Sequence, residues 1–454
     1  MAHSARVLVA NGNLQSLNHV SGCLRRLGFI NLLETFINLL ETVAAKAVSR
    51  AQAERPEVIF VGLEFSDGDC ASIILNLKDD IVTRDIPVFL TCSENEPPPW
   101  SEDWATRFDG VLQWPFENEQ IQAHMRAGLR LGTMRAELNR RSETLSRFGH
   151  ESGEKWRVET TEGHPRVLLV RGENDRDDSV EDALTGFALL ETDGLGSSIV
   201  DKLSDSDVEL VVIAAHSGLP AVLAICDDIR RNPALFHISI LAVCEADSDQ
   251  IAQVYLHGAT PLHSLPVDGD EIRARLTMGV KSYRLRGYML NAYRAAGRQA
   301  VSDSATGLFS AEFFRQHLQT LVDDAFRWDK NLSLNIVAVS EIDEIRKECG
   351  DTTAAHLTKQ LGAMISQLVR GEDLCARLDN TTFCIALPES PLEATSPTMQ
   401  RLIADLRVTE FSLLEVGETL ILHPTFGSAE FRPGDSVEDF LDRATSVAVA
   451  KHAA

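Results

Sequence analysis

Arg370 and Asp373, in the run Arg370-Gly371-Glu372-Asp373, have the residue types and spacing to hold a ligand. A guanidinium fork can grip a phosphate or meet the O6/N7 edge of guanine through two parallel hydrogen bonds. A carboxylate can accept from guanine N1–H and N2–H₂. Taken alone the spacing is also that of an exposed ion pair, which contributes little. Arg377 follows just ahead of the polar run Asp379-Asn380-Thr381-Thr382, and Arg401 and Arg407 lie on a helical pattern beyond it.

Other chemistry is absent. There is no G-x-x-x-x-G-K-[ST] loop, no H-E-x-x-H and no Gly-rich dinucleotide fingerprint after a strand. The 13 histidines have no metal-ligand spacing, and the 8 cysteines form no C-x-x-C pair, so neither a zinc ribbon nor a disulfide framework is expected. Lys+Arg 43 against Asp+Glu 67 gives a net charge of −24, which argues against nucleic acid or an anionic membrane as partner. An anionic ligand must therefore be held by local arginines. No apolar run reaches the ~18–20 residues of a membrane span, and Met1 to Arg6 lacks a signal-peptide pattern. The expectation is a soluble, cytoplasmic protein with no membrane insertion.

At 454 residues, and about 150 per domain, the prior is three domains. Short apolar runs at Arg6–Ala10, Val58–Val61, Ile86–Leu90 and Gly110–Leu112 alternate with helical patterns, as in βα units around a parallel sheet. The order recurs at Arg166–Val170, Leu210–Ile213, Ile238–Val243 and Gly258 to Val267. A polar connector from about Thr133 to Gly163 reads as helix and linker. A helix is expected from about Asp270 to Ala300, its tyrosines (Tyr283, Tyr288, Tyr293) packing on a neighbour. Phe29–Thr35 is repeated without change as Phe36–Thr42, a duplication with no assigned function.

The two repeated units resemble receiver domains of bacterial response regulators, each ending in strand-x-Pro-hydrophobe (Trp114-Pro115-Phe116 and Leu265-Pro266-Val267). A receiver needs an acidic pair for Mg²⁺, an acceptor Asp, a Thr or Ser and a Lys, because phosphoryl transfer to a carboxylate requires the accumulating charge to be neutralised. Here those positions fall on Asn11 and Gly12, Gly62, Cys92 and Trp114 in the first unit. In the second they fall on Arg171 and Gly172, Ala214, Cys244 and Leu265. The resemblance implies pseudo-receivers that carry no phosphorylation site.

Further on, Asp303-Ser304-Ala305-Thr306-Gly307-Leu308 resembles the D-x-L-T-G-L opening of diguanylate cyclase (GGDEF) domains. The G-G-D/E-E-F pentad would fall on Asp379-Asn380-Thr381-Thr382-Phe383, the metal Asp on Ala338, and the guanine-reading Asn and Asp on Arg346 and Thr352. Glycines and carboxylates are replaced together, so the resemblance implies no catalytic residue and no metal or other cofactor. What matches is the family's R-x-x-D inhibitory site. It implies cyclic di-GMP binding at Arg370, Asp373, Arg377 just before the pentad and Arg401, with Arg407 as another register for the secondary site.

The whole order resembles the PleD type of response regulator, nearest to its PopA-like effector branch. The expected fold is α/β: two CheY-like doubly wound receivers, then a nucleotidyl-cyclase-like domain. The expected boundaries are 1–132 and 165–282 for the receivers, 133–164 and 283–302 for linkers, and 303–454 for the GGDEF domain. The expected function is a non-catalytic cyclic di-GMP receptor. It would act as a homodimeric adaptor whose protein partners belong to a proteolytic or polar-localisation pathway at the cell pole. A ligand-independent scaffold and a residual cyclase are the alternatives.

Overall fold

The computed structural model describes residues 5–27, 37–41, 44–63, 65, 70–93, 97–98, 100, 105–114, 116–149, 163–172, 178–195, 199–214, 218–232, 235, 237–244, 247–262, 267–296, 301–413, 417 and 419–452. They form two compact units. One comprises Ser4–Gly132 and Val158–Gly287, the other Thr133–Arg157 and Tyr288–Ala454. The first copy of the duplicated heptad lies outside the described residues, as do Pro115, Leu265 and Pro266.

In the first unit, β1 (Arg6–Ala10), β2 (Ile37–Glu41), β3 (Val58–Gly62), β4 (Val88–Ser93) and β5 (Gly110–Trp114) form a sheet of order β2-β1-β3-β4-β5. Every pairing is parallel. A second parallel sheet is built from β6 (Arg166–Arg171), β7 (Leu189–Gly194), β8 (Leu210–Ala214), β9 (Ser239–Val243) and β10 (Thr260–Leu262), in the order β10-β9-β8-β6-β7. Both orders read 2-1-3-4-5, the doubly wound arrangement of receivers. Helices cover both faces, so the central strands are continuous apolar runs; β3 and β8 are buried along their whole length.

The helices of these two sheets are α1 (Leu14–Leu27), α2 (Ala44–Glu54), α3 (Cys70–Asp79), α4 (Asn118–Arg147), α5 (Ser179–Leu184), α6 (Ile199–Ser204), α7 (Leu219–Arg231), α8 (Ser248–Leu256) and α9 (Gly269–Ala296). The last is the helix expected from about Asp270. Its Lys281 donates to the Thr106 carbonyl at 2.9 Å, and Tyr283 stacks on His237. Arg284 pairs with Glu209 at 2.7 Å, so the basic residues here are partly consumed by the fold.

The second unit is built on an antiparallel sheet of order β12-β13-β11-β16, from β11 (Leu332–Ala338), β12 (Leu374–Arg377), β13 (Thr382–Pro388) and β16 (Thr425–Glu430). A hairpin of β14 (Glu410–Ser412) and β15 (Thr419–Ile421) stands apart. α10 (Ala311–Trp328) and α13 (Val437–His452) bury Phe313, Phe314, Phe440 and Ala444 against one face. α11 (Glu341–Leu368, broken at Gly350) and α12 (Leu392–Val408) bury Leu357, Leu361, Leu402 and Leu406 against the other.

The helical part of the expected connector bears on the site: α4 continues unbroken past residue 132 to Arg147. Leu145 and Phe148 pack against the core that α10 shares with the sheet.

Candidate functional site

The pentad closes the β12–β13 hairpin. Sheet register sets Ala338 opposite Thr382, and the Val339 N–H donates to the Thr381 carbonyl at 2.9 Å. The three positions that would carry metal carboxylates therefore do meet, at one end of the sheet, and they bring a methyl and two hydroxyls. They offer a divalent cation no carboxylate. Among the described residues no group of three or more His, Cys, Asp or Glu could hold a metal ion. Asp379 serves the turn: its Oδ1 accepts from the N–H groups of Thr381 and Thr382, each at 2.9 Å. Arg346 pairs with Asp343 and, at 3.6 Å, with Asp351.

Arg377 is also turned inward. Its Nε donates to the Asp379 carbonyl at 2.8 Å, a terminal nitrogen donates to the Asn380 carbonyl at 3.2 Å, and Asp303 lies 3.6 Å away. Asp303 in turn accepts from the amide and hydroxyl of Thr306, at 2.9 and 2.7 Å. A side chain at Gly362 would collide with Thr306, its β-carbon falling 2.6 Å from that of Thr306. The opening motif is thus a folded turn seated on α11 and tied to the pentad through Arg377.

The Arg370–Asp373 turn joins α11 to edge strand β12. The Arg370 N–H donates to Asp373 Oδ2 at 2.9 Å, and the Asp373 N–H to the Arg370 carbonyl at 3.2 Å. The Arg370 side chain is exposed while Asp373 is only 4% exposed. Burial pushes the Asp373 carboxyl well above the usual carboxylate range, and Glu372 adds to the effect against the opposing charges of Arg370 and Arg141. Arg401 is exposed on α12, on the same face of the sheet as α11, while Arg407 donates to the Pro424 carbonyl at 3.2 Å.

What the sequence reading missed is the group behind the turn. The Arg141 guanidinium on α4 donates to the carbonyls of Gly371, Glu372 and Asp373 at 3.0, 2.9 and 3.1 Å. Glu137 orients it, accepting from Arg141 Nε at 2.9 Å, and also accepts from His317 Nε2 at 2.7 Å. Thr144 meets the other His317 ring nitrogen at 2.8 Å. Arg140 beside it reaches Asp324 at 2.7 Å and Glu389 at 3.1 Å, where Lys330 joins at 3.0 Å. Burial works against ionising Glu137, but His317, Arg141 and Arg140 outweigh it and hold its carboxyl down at about 2. Glu389 is held at about 2 in the same way, by Lys330 and Arg140 against burial. Thr133, Glu137, Arg140, Arg141 and Thr144 repeat at helical spacing, which marks a polar helix face but not what it meets; the structure buries all five.

The receiver positions are equally plain. Gly62 ends β3, and a β-carbon there would fall 2.4 Å from the Asn11 side chain, so Asn11 fills the space of an acceptor residue. Register pairs Gly62 with Thr91, one place before Cys92, and Asn11 Nδ2 donates to Thr91 Oγ1 at 3.2 Å. In the second sheet Arg171 is opposite Ala214 and pairs with Asp178 and Glu181, at 2.8 and 2.9 Å.

Comparison with known proteins agrees with this architecture. Residues 300–453 match the family "Diguanylate cyclase, GGDEF domain". Response regulator PleD of Caulobacter vibrioides is 23% identical over 403 residues, which are 88% of this chain and 87% of PleD. Among solved structures, the GGDEF domain of DgcB from Caulobacter crescentus in complex with c-di-GMP aligns with TM-score 0.33 and 18% identity, over 34% of this chain and 89% of that one. The FimX GGDEF domain from Pseudomonas aeruginosa aligns with TM-score 0.32 and 20% identity, over 34% and 93%. The chain is an α/β protein of PleD-like receiver–receiver–GGDEF architecture, its GGDEF domain spanning residues 300–453.

Proposed function

We propose that this protein is a non-catalytic receptor for cyclic di-GMP, bound at Arg370 and Asp373, with a GGDEF domain that has lost its catalytic groups. One observation carries the reading. The R-x-x-D turn keeps its charged groups on a folded turn, while the three positions that would carry metal carboxylates, Ala338, Thr381 and Thr382, have none. Arg370 presents an exposed guanidinium to a phosphate or guanine edge, and the Asp373 carboxylate beneath it is the acceptor for guanine. Arg401 extends the same face; Arg377 acts through the hairpin it braces. Phosphoryl transfer needs charge neutralisation that Ala338, Thr381 and Thr382 do not supply.

The acceptor positions, Gly62 with Asn11 in its side-chain space and Ala214 opposite Arg171, carry no carboxylate, which supports receivers that do not take phosphate. By its likeness to PleD, and to PopA-like effectors within that group, the protein is a dimeric cytoplasmic adaptor. Ligand capture would then present it to protein partners of a proteolytic or polar-localisation pathway. Such a switch requires different ligand affinity in two states. No helix among the described residues is long and apolar enough to cross a membrane.

The test is calorimetric titration of cyclic di-GMP into the full chain, beside Arg370→Ala and Asp373→Ala. Micromolar or tighter binding, about −8 kcal/mol, lost in both variants, is the expected result. Absence of binding would leave only a scaffold, and GTP turnover with Mg²⁺ would restore the cyclase reading.

A further inference from the structure

The turn proposed to bind ligand has few bonds of its own: the Arg370 amide to Asp373, and the Asp373 amide back to Arg370. The carbonyls of Gly371, Glu372 and Asp373 all receive the same guanidinium, that of Arg141, from a helix outside the GGDEF family match. A guanidinium is planar and its donors are fixed in direction, so it imposes a shape where an ammonium would supply only charge. Arg141 is 6% exposed, and Glu137 locks its orientation from behind. Glu137 is itself fixed by His317, which stacks on Phe313 with an interplanar angle of 6°.

Arg140 provides an internal comparison. It is buried on the same turn of the same helix and belongs to the same ionic cluster. Its charge goes instead to Asp324, Glu389 and Glu137.

We infer that Arg141 is the positioning residue of the ligand site: its grip on the carbonyls of residues 371–373 sets the turn that presents Arg370 and Asp373 to cyclic di-GMP. The proposal rests on the receptor reading for its ligand and on geometry for the rest. It makes the end of α4 part of the binding site, although the helix never touches the ligand. Arg141 acts twice, by fixing the backbone and by standing as a positive charge near Asp373, where it favours the ionised carboxyl that accepts from guanine. Glu372 opposes it in this and Arg370 assists.

The test compares Arg141→Gln with Arg140→Gln in the full chain, using two readouts. In ligand-free protein, amide exchange at residues 371–374 should rise about tenfold or more in R141Q and stay within about twofold in R140Q. Cyclic di-GMP affinity should fall about tenfold or more in R141Q and stay within about twofold in R140Q. Raising the pH should recover part of the R141Q loss, which general loosening would not do. Arg141→Lys keeps the charge beside Glu137 without the fork; it serves if R141Q does not fold, and should show the same exchange defect. Unchanged exchange in R141Q or R141K would overturn the proposal whatever the ligand result. Fast exchange with unchanged affinity would overturn its ligand half. A wild-type chain that binds no cyclic di-GMP overturns the receptor reading, while the exchange comparison still decides whether Arg141 holds the turn.

Discussion

The GGDEF domain holds two loops of opposite character at the two ends of β12. At one end the hairpin turn satisfies its polar groups locally: Asp379 caps its own turn and Arg377 staples it. At the other, the Arg370–Asp373 turn keeps a buried carboxyl and depends on a guanidinium from more than 200 residues earlier in the chain, Arg141 to Glu372 being 231 apart. A loop with no ligand to serve can close on itself at low cost. A buried, partly ionised turn costs desolvation and persists only where a matched counter-group is supplied. The contrast separates a hairpin that bonds itself from a turn bonded by another helix.

The strongest break is at Glu137, which faces three cationic or donor side chains with no solvent access. Glu137→Ala should destabilise the unit formed by Thr133–Arg157 and Tyr288–Ala454 by about 3–5 kcal/mol, because it strands buried charge. Denaturant dependence of amide exchange in β11 and β13 would measure it. A cost near that of a surface ion pair would mean that the cluster does not hold the turn.

Acid tests the same side of the comparison. Glu137 and Glu389 sit at about 2 in the folded protein, below the ordinary carboxylate value of the unfolded chain. Between those values the unfolded state binds more protons, so stability from both groups is complete above about pH 4.5 and lost as pH falls toward 2. Unfolding followed by circular dichroism should show a transition in that window that moves to lower acidity-sensitivity in Glu137→Gln.

Arg377→Ala falls next. Losing its bonds to the Asp379 and Asn380 carbonyls and to Asp303 should cost about 1.5–3 kcal/mol and leave cyclic di-GMP affinity within about twofold. Arg370→Ala should reverse this, with little loss of stability and most of the affinity gone. A large affinity loss in Arg377→Ala at wild-type stability would move Arg377 from the hairpin to the ligand.

Much of this architecture was legible because parallel strands covered on both faces must be continuous apolar runs, as Val58–Val61 and Leu210–Ile213 are. β7 escaped notice because it is an edge strand, Leu189–Gly194, partly exposed and carrying Glu191 and Asp193. The bond from Asn11 to Thr91 was not legible, because pairing between strands brings the two together and the sequence does not display pairing. Arg370 and Asp373 could be located by their offset from the pentad. Arg141 could not, since a polar stripe on a helix looks alike whether water or a carbonyl-lined turn receives it. Only the tertiary contact of α4 with α10 distinguishes the two.

The smallest effect discriminates most finely. If Asp379 serves only as an acceptor for the Thr381 and Thr382 amides, its charge is dispensable and its oxygen is not. Asparagine presents the same carbonyl oxygen in the same turn and tolerates the same backbone. Asp379→Asn should then change stability by no more than about 0.5 kcal/mol, whereas Asp379→Ala, which strands both amides at a partly solvated turn, should cost about 1 kcal/mol. Neither should alter cyclic di-GMP binding. Equal losses in the two variants would show that the carboxylate charge matters, and Arg377, whose guanidinium bonds the carbonyls of Asp379 and Asn380, would be the group it acts on. The pentad would then be an ionic element like the turn, and the contrast between the two ends of β12 would fail.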